Sequence, residues 1–192
     1  MIPVISFVGR KNSGKTTYIS ALIPALEAAG IRVAVVKQHK HDVPVDIEGK
    51  DSWRYAQAGA SCSIMSTSRQ LSLVFQRSPQ PDETRMASLA ELAAVAQRNG
   101  CEILLAESFN ASVDADREAL GQAFGLYVVA RAERTEEPRF GPADSEAIIT
   151  DDPELAQSWQ EAGKFCFDLN NPADLATQLA KNPHPIPAER NL

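Results

Sequence analysis

The sequence predicts an α/β domain, a mainly parallel sheet flanked by helices with an antiparallel hairpin at one edge. Three observations carry this. Short apolar runs alternate with stretches of helical periodicity along the chain, the order expected of successive strand–helix units. The first run, Val4-Ile5-Ser6-Phe7-Val8, is nearly continuous in its apolar character, as a strand covered on both faces must be. Ser63-Ile64-Met65 and Leu71-Ser72-Leu73-Val74-Phe75 alternate instead and lie close together, the pattern of two neighbouring antiparallel strands.

The elements follow in order. Residues 16–29 place Ile19, Leu22, Ile23 and Leu26 at helical spacing, and Gly30 supplies a stop. Pro24 predicts a kink within that helix. Val33-Ala34-Val35-Val36 is the second strand, and residues 50–56, between Gly49 and Gly59, read as a short helix. Two prolines in residues 77–83 mark a loop after the hairpin. Residues 86–99 bring Leu89, Leu92, Ala93 and Ala96 to one helical face, ended by Gly100. Ile103-Leu104-Leu105-Ala106 is a fully apolar strand, and residues 110–122 read as a loop or a short helix. Residues 126–130 and 147–149 are further strands. Pro153 fits the first turn of a helix through Glu161. Phe165-Cys166-Phe167 gives a last strand, Pro172 opens a final helix to about residue 179, and the tail 182–192, with its three prolines, reads as loose. No repeat or linker interrupts the chain, so one domain over residues 1–181 is the economical organisation.

Composition narrows the class. With 192 residues, 44% of them hydrophobic, the chain is long enough for a core without staples, since at this size roughly 70% of the unfolded surface is hidden. Nineteen Lys and Arg against 25 Asp and Glu leave a net charge of −6. A domain built to grip nucleic-acid phosphates carries a basic excess, so no nucleic-acid partner is expected. Cys62, Cys101 and Cys166 are scattered with no CxxC pair, which indicates neither a disulfide framework nor a zinc site and fits a reducing cytoplasm. No apolar run is long enough to span a bilayer, and the start of the chain lacks a signal peptide's basic and apolar regions.

Gly9-Arg10-Lys11-Asn12-Ser13-Gly14-Lys15-Thr16 matches G-x-x-x-x-G-K-[ST] completely, directly after a buried strand and before a helix. This is a P-loop. Gly9 and Gly14 allow the loop amides, including those of Asn12 and Ser13, to turn inward as an anion nest. The following helix presents its positive end to the same phosphates. Lys15 is placed to reach the β- and γ-phosphates, Thr16 to complete a Mg2+ shell, and Thr17 to support the α-phosphate. Glu107 ends the strand that begins at Ile103. A carboxylate there commonly lies near Mg2+, directly or through water. Here it is Glu rather than Asp, which favours the indirect contact. Val36-Lys37-Gln38-His39-Lys40-His41-Asp42 starts at the carboxyl end of the second strand, on the edge where open α/β sheets bind ligands. With no cysteine or third histidine nearby, His39 and His41 read as hydrogen-bonding or phosphate-facing groups rather than a metal pair. Asp42 and Asp46 either hold Mg2+ waters or are solvated loop charges.

Several blocks taken in order resemble the MobB family, the molybdopterin-guanine dinucleotide biosynthesis adaptor proteins. They are GRKNSGKTT, AVVKQHKHD, DIEGKDSWRYAQAGA and ILLAESFN, with weaker likeness through SRQLSLV and AIITDD. Two places depart from the family pattern: Gln38-His39-Lys40-His41 stands where H-x-H-H is usual, and Glu107-Ser108-Phe109-Asn110 where E-G-[FY]-K is usual. The resemblance implies a P-loop NTPase-like fold and a GTP-binding homodimer with weak GTPase activity. It also implies partnership with the MobA-like nucleotidyltransferase that joins GMP to molybdopterin, and with molybdopterin itself. The motifs alone also admit a small-molecule kinase or a metal-insertion GTPase. A kinase needs a lid that clamps the phosphates, and residues 110–122 offer only Arg117 among several acids.

No N-K-x-D guanine motif occurs in the chain. Asp151, just past the strand at residues 147–149, is the carboxylate favoured to read the guanine edge, while Asp152 next to it either does the same or, as favoured here, caps the next helix. Turnover is expected to be slow, because the motif itself brings only Lys15 to the phosphates, with Arg10, Lys11 and Lys37 as further candidates.

Overall fold

The computed structural model describes residues 2–39, 43–76, 87–109, 125–131 and 140–182. The chain forms two compact units, Met1–Gln38 together with Ala87–Leu192, and His39–Met86.

The first unit is built on a six-stranded parallel sheet. Its strands are β1 (Val4–Val8), β2 (Val33–Lys37), β5 (Ile103–Glu107), β6 (Leu126–Arg131), β7 (Ala147–Thr150) and β8 (Phe165–Asp168), in the spatial order β2-β5-β1-β6-β7-β8. Every pairing is parallel, with Lys37 and Phe7 both opposite Glu107, and Val8 opposite Ala130. β1 and β5 are buried along their whole length, which is why both read as continuous apolar runs.

Helices cover the two faces. Helix α1 (Lys15–Ala28) and the last helix (Pro172–Lys181) pack against Ile5, Phe7, Ile103, Leu105, Val129, Ala147 and Ile149. The helices Leu89–Arg98 and Pro153–Glu161 pack against Val4, Val8, Leu104, Ala106 and Ile148 on the other side. Alternate residues of each strand therefore serve alternate faces. α1 runs unbroken through Pro24. The helix expected from residue 86 begins at Leu89, because a capping box fixes its start. Ser88 Oγ accepts from the Glu91 amide at 3.3 Å, and Glu91 Oε2 accepts from the Ser88 amide at 2.9 Å. Asp152 caps the helix at Pro153 as expected, its Oδ1 accepting from the amides of Glu154 and Leu155.

The second unit holds α2 (Asp51–Gln57), β3 (Cys62–Ser66) and β4 (Leu71–Phe75). β3 and β4 pair antiparallel around a turn at Thr67–Gln70. They form a two-stranded sheet of their own rather than an edge of the parallel one. Alternation specifies that two strands pair, and is silent on which sheet they join. The register sets Ile64 opposite Leu73, Cys62 opposite Phe75 and Ser66 opposite Leu71, so these six side chains share one face. Four of them are exposed hydrophobics: Ile64, Leu71, Leu73 and Phe75.

The loop expected at residues 77–83, the segment 110–122 and nearly all of the tail lie outside the described residues. All three cysteines are free, and among the described residues no helix is long and apolar enough to cross a membrane.

Candidate functional site

The site forms at the carboxyl ends of the central strands, where the chain leaves β1 and turns into α1. The loop backbone takes the left-handed region at Gly9 (φ 136°), Asn12 (φ 62°) and Gly14 (φ 82°). Asn tolerates that region better than most residues, and Gly14 is also the N-cap residue of α1. Lys15, 6% exposed, donates from Nζ to the carbonyls of Gly9 (3.1 Å) and Arg10 (2.6 Å) and to Ser13 Oγ (3.2 Å). The ammonium is thus folded back across the mouth of the loop. Arg10, Lys11, Asn12, Thr16 and Thr17 are exposed.

Three strand ends deliver side chains to this loop by parity. Ile103 and Leu105 face α1, so Glu107 does too. Val33 faces α1, so Lys37 does. Val129 faces α1, so Arg131 does. Glu107 is 6% exposed, and its Oε1 accepts from Thr16 Oγ1 at 2.7 Å and from Lys37 Nζ at 2.8 Å. Lys37 Nζ also donates to Thr16 Oγ1 at 3.2 Å. Thr16, Glu107 and Lys37 therefore close a triangle. Burial pushes the Glu107 carboxyl up, but the hydrogen bonds from Lys37 and Thr16 and the charges of Lys37 and Lys15 outweigh it, leaving its pKa below the ordinary carboxylate value.

Arg131 closes the other flank. A Cβ built on Gly14 would fall on the Arg131 guanidinium, and one on Gly9 would come 3.7 Å from the Arg131 carbonyl oxygen. Gly14 is thus required by its backbone angle, and a side chain there would also have to move the guanidinium aside. A guanidinium at the positive end of a helix is electrostatically disfavoured by about 0.3–1 kcal/mol, and an anion held there would relieve it. Arg131 was not among the residues expected at the site. Its signal was available: a cation closing an apolar strand, in the same parity as a core valine.

Asp46 belongs to the second unit. Its Oδ1 accepts from the Ile47 amide (2.8 Å) and Ser52 Oγ (2.9 Å), which ties the loop to the start of α2, while Oδ2 is buried and has no hydrogen-bond partner among the described residues. Asp151 lies exposed, one residue past β7. His41 and Asp42 are outside the described residues. Among those that are described, no three His, Cys, Asp or Glu residues gather into a metal-holding group.

Comparison with known proteins gives a consistent result. The chain is 39% identical over 108 residues to the molybdopterin-guanine dinucleotide biosynthesis adapter protein of Haemophilus influenzae, which is 56% of this chain and 57% of that one. To the Escherichia coli protein of the same name it is 37% identical over 109 residues, 57% of this chain and 60% of that one. The matched regions thus span under two thirds of these relatives. Among solved structures, Bacillus subtilis MobB aligns over 98% of this chain and 100% of its own, with a TM-score of 0.65 and 23% identity. A crystal structure of molybdopterin-guanine biosynthesis protein B aligns over 93% and 99%, with a TM-score of 0.54 and 21% identity. At such identities the likeness is one of fold, here the P-loop NTPase-like α/β fold. The family model for molybdopterin guanine dinucleotide synthesis protein B matches residues 4–126, more than half of the chain, and the chain belongs to this MobB family.

Proposed function

We propose that the chain is a GTP-binding adaptor that assists attachment of a nucleotide to molybdopterin, working with a MobA-like nucleotidyltransferase in the cytoplasm. The observation that carries the nucleotide reading is the Thr16–Glu107 pair set at the mouth of a complete P-loop. A hydroxyl and a carboxylate oxygen 2.7 Å apart are a hard-oxygen donor set suited to Mg2+. When bound, Mg2+ would offset phosphate charge. The chain's own groups do the rest. The nest around Asn12, Ser13 and Gly14 and the start of α1 receive phosphate oxygens, and Lys15 exchanges its loop carbonyls for them. Thr17 supports the α-phosphate, Asp151 reads the guanine edge, and Glu107 orients the Thr16 hydroxyl. The partner reading draws on family membership and on the printed names of the Haemophilus and Escherichia relatives.

Hydrolysis by the protein alone is slow on this reading. A buried carboxylate at the metal side adds negative charge where phosphoryl transfer needs less. The protein also acts as a homodimer. A two-stranded sheet by itself is marginal in water, and the exposed face of Ile64, Leu71, Leu73 and Phe75 gains most by being covered by a second copy.

The deciding experiment titrates GTP, ATP and CTP with Mg2+, with and without the nucleotidyltransferase, following binding and phosphate release. GTP should bind preferentially, and Lys15→Ala should weaken it about ten- to a hundred-fold, the size of a lost charge-assisted contact. Unchanged affinity in folded Lys15→Ala, or several turnovers per second without a partner, would overturn the reading.

A further inference from the structure

The Thr16–Glu107 pair already holds a cation of the protein's own. Lys37 Nζ stands 2.8 Å from Glu107 Oε1 and 3.2 Å from Thr16 Oγ1, so one ammonium engages both oxygens on which the metal reading depends. The sheet dictates this. Lys37 ends β2 and Glu107 ends β5, the two are directly opposite in register, and both face α1 by parity. The Lys37 side chain is 43% exposed whereas that of Glu107 is 7% exposed. The carboxylate is therefore fixed, and the ammonium, on a flexible four-carbon stem, is the partner free to leave.

Resting on the nucleotide reading above, we infer that Lys37 is a resident counter-cation that keeps divalent metal off the Thr16–Glu107 pair until a triphosphate arrives, and then discriminates triphosphate from diphosphate. The argument is electrostatic. A divalent cation and an ammonium sharing Glu107 Oε1 would repel each other at close range. Without nucleotide, a metal has to displace the ammonium from Glu107 to bind there, so metal alone binds poorly. A nucleotide supplies that anion. The terminal phosphate is the group a triphosphate adds over a diphosphate, and an ammonium displaced from Glu107 gains a charge-assisted contact with it. Metal and terminal phosphate then favour each other through Lys37. That coupling is reciprocal by linkage.

The test needs no turnover. Mn2+ binding is followed by electron paramagnetic resonance without nucleotide, and GTP and GDP binding with Mg2+ by calorimetry, for the natural chain, Lys37→Met and Lys37→Gln. The Gln variant retains a donor for Glu107, which guards against loss of folding; thermal melting checks both variants. Without nucleotide, the natural chain should hold Mn2+ weakly and both variants about tenfold or more tightly, and the GTP-over-GDP preference should fall by about tenfold in the variants. Equal Mn2+ affinity in all three, or an unchanged GTP-over-GDP preference, would overturn the inference while leaving the nucleotide reading intact. If the natural chain binds neither nucleotide, the nucleotide reading fails and this inference with it. A merely structural ion pair would lower the melting temperature and move neither quantity.

Discussion

Thr16 and Glu107, 91 positions apart in sequence, are joined by a 2.7 Å hydrogen bond in which the threonine hydroxyl donates. The bond links the first turn of α1 to the end of β5, so both side chains are carried by regular elements rather than by a free loop. Lys37 enters the same pair from β2 and Arg131 reaches Gly14 from β6.

Gly14→Ala should be costly, chiefly through its backbone. Alanine at φ 82° carries about 1–2 kcal/mol of backbone strain, and its methyl group would displace the Arg131 guanidinium. We expect loss of stability and weakened triphosphate binding. Adding Arg131→Ala should recover the steric part alone, visible as coupling in a double-mutant cycle by urea denaturation. Strict additivity would show that the guanidinium does not constrain position 14.

Ser108→Gly should stabilise the protein. Ser108 sits at φ 69° directly after Glu107, where the family pattern has glycine, and its amide still donates to the Phe7 carbonyl at 3.2 Å. The chain thus retains the glycine backbone with a serine in it. Relief of that strain is worth about 1 kcal/mol, or about 2–4 °C in melting temperature at this size. A lower melting temperature would mean that the serine side chain contributes more than the strain it imposes.

Glu107 should make stability acid-sensitive. Its folded pKa is lowered below 4.5. A depressed carboxylate contributes stability that is present above the unfolded value and lost as pH falls through the folded one. The deficit of Glu107→Gln relative to the natural chain should therefore be full above pH about 4.5 and shrink below it. Urea denaturation at several pH values measures this, and a deficit independent of pH would show that the charge of Glu107 contributes nothing.

Much of this architecture was legible in the sequence, for physical reasons. β1 and β5 are buried on both faces, and their nearly continuous apolar runs say so. Pro153 marks its helix start, and Asp152 caps it in the structure. The turn from β1 into α1 is local, since the eight consecutive residues 9–16 specify it. The Lys37–Glu107–Thr16 triangle was not legible as a unit, because it depends on β2 pairing with β5 across 70 positions. Strand parity was nonetheless a usable clue for Lys37, Glu107 and Arg131, each of which continues the residues facing α1. The separate β3–β4 sheet was hidden for another reason: alternation fixes which face is apolar but not which neighbour a strand edge finds.

The apolar face of that ribbon makes a solution-state prediction. If Ile64, Leu71, Leu73 and Phe75 meet their counterparts in a second copy, the natural chain should sediment as a dimer at micromolar concentration. Leu73→Glu with Phe75→Glu should yield a monomer whose fold is intact, since both residues are exposed within one chain (48% and 68%). A natural chain that is monomeric at that concentration would remove the dimer from the proposed function.

Base choice gives the last prediction. Nothing in the chain spells N-K-x-D, so a guanine preference would have to come from other groups. A carboxylate can accept from both the N1–H and the N2 amino group of guanine, and adenine presents neither donor pair. Two adjacent carboxylates follow β7, and one of them has a structural role. Asp152 is committed to its helix, with Oδ1 accepting from two amides at 3.1 and 3.3 Å. Asp151 is exposed at the carboxyl edge of the sheet, two strands from the P-loop strand β1, on the side where ligands of open α/β sheets bind. Asp151→Asn keeps the size of the side chain and removes its ability to accept from both guanine donors. It should weaken GTP by at least about tenfold and leave the weaker ATP affinity nearly unchanged, read by parallel calorimetric titrations with Mg2+. Asp152→Ala should lower thermal stability through the helix cap and spare the ratio. Equal losses for GTP and ATP in Asp151→Asn, or no loss at all, would remove Asp151 from base recognition.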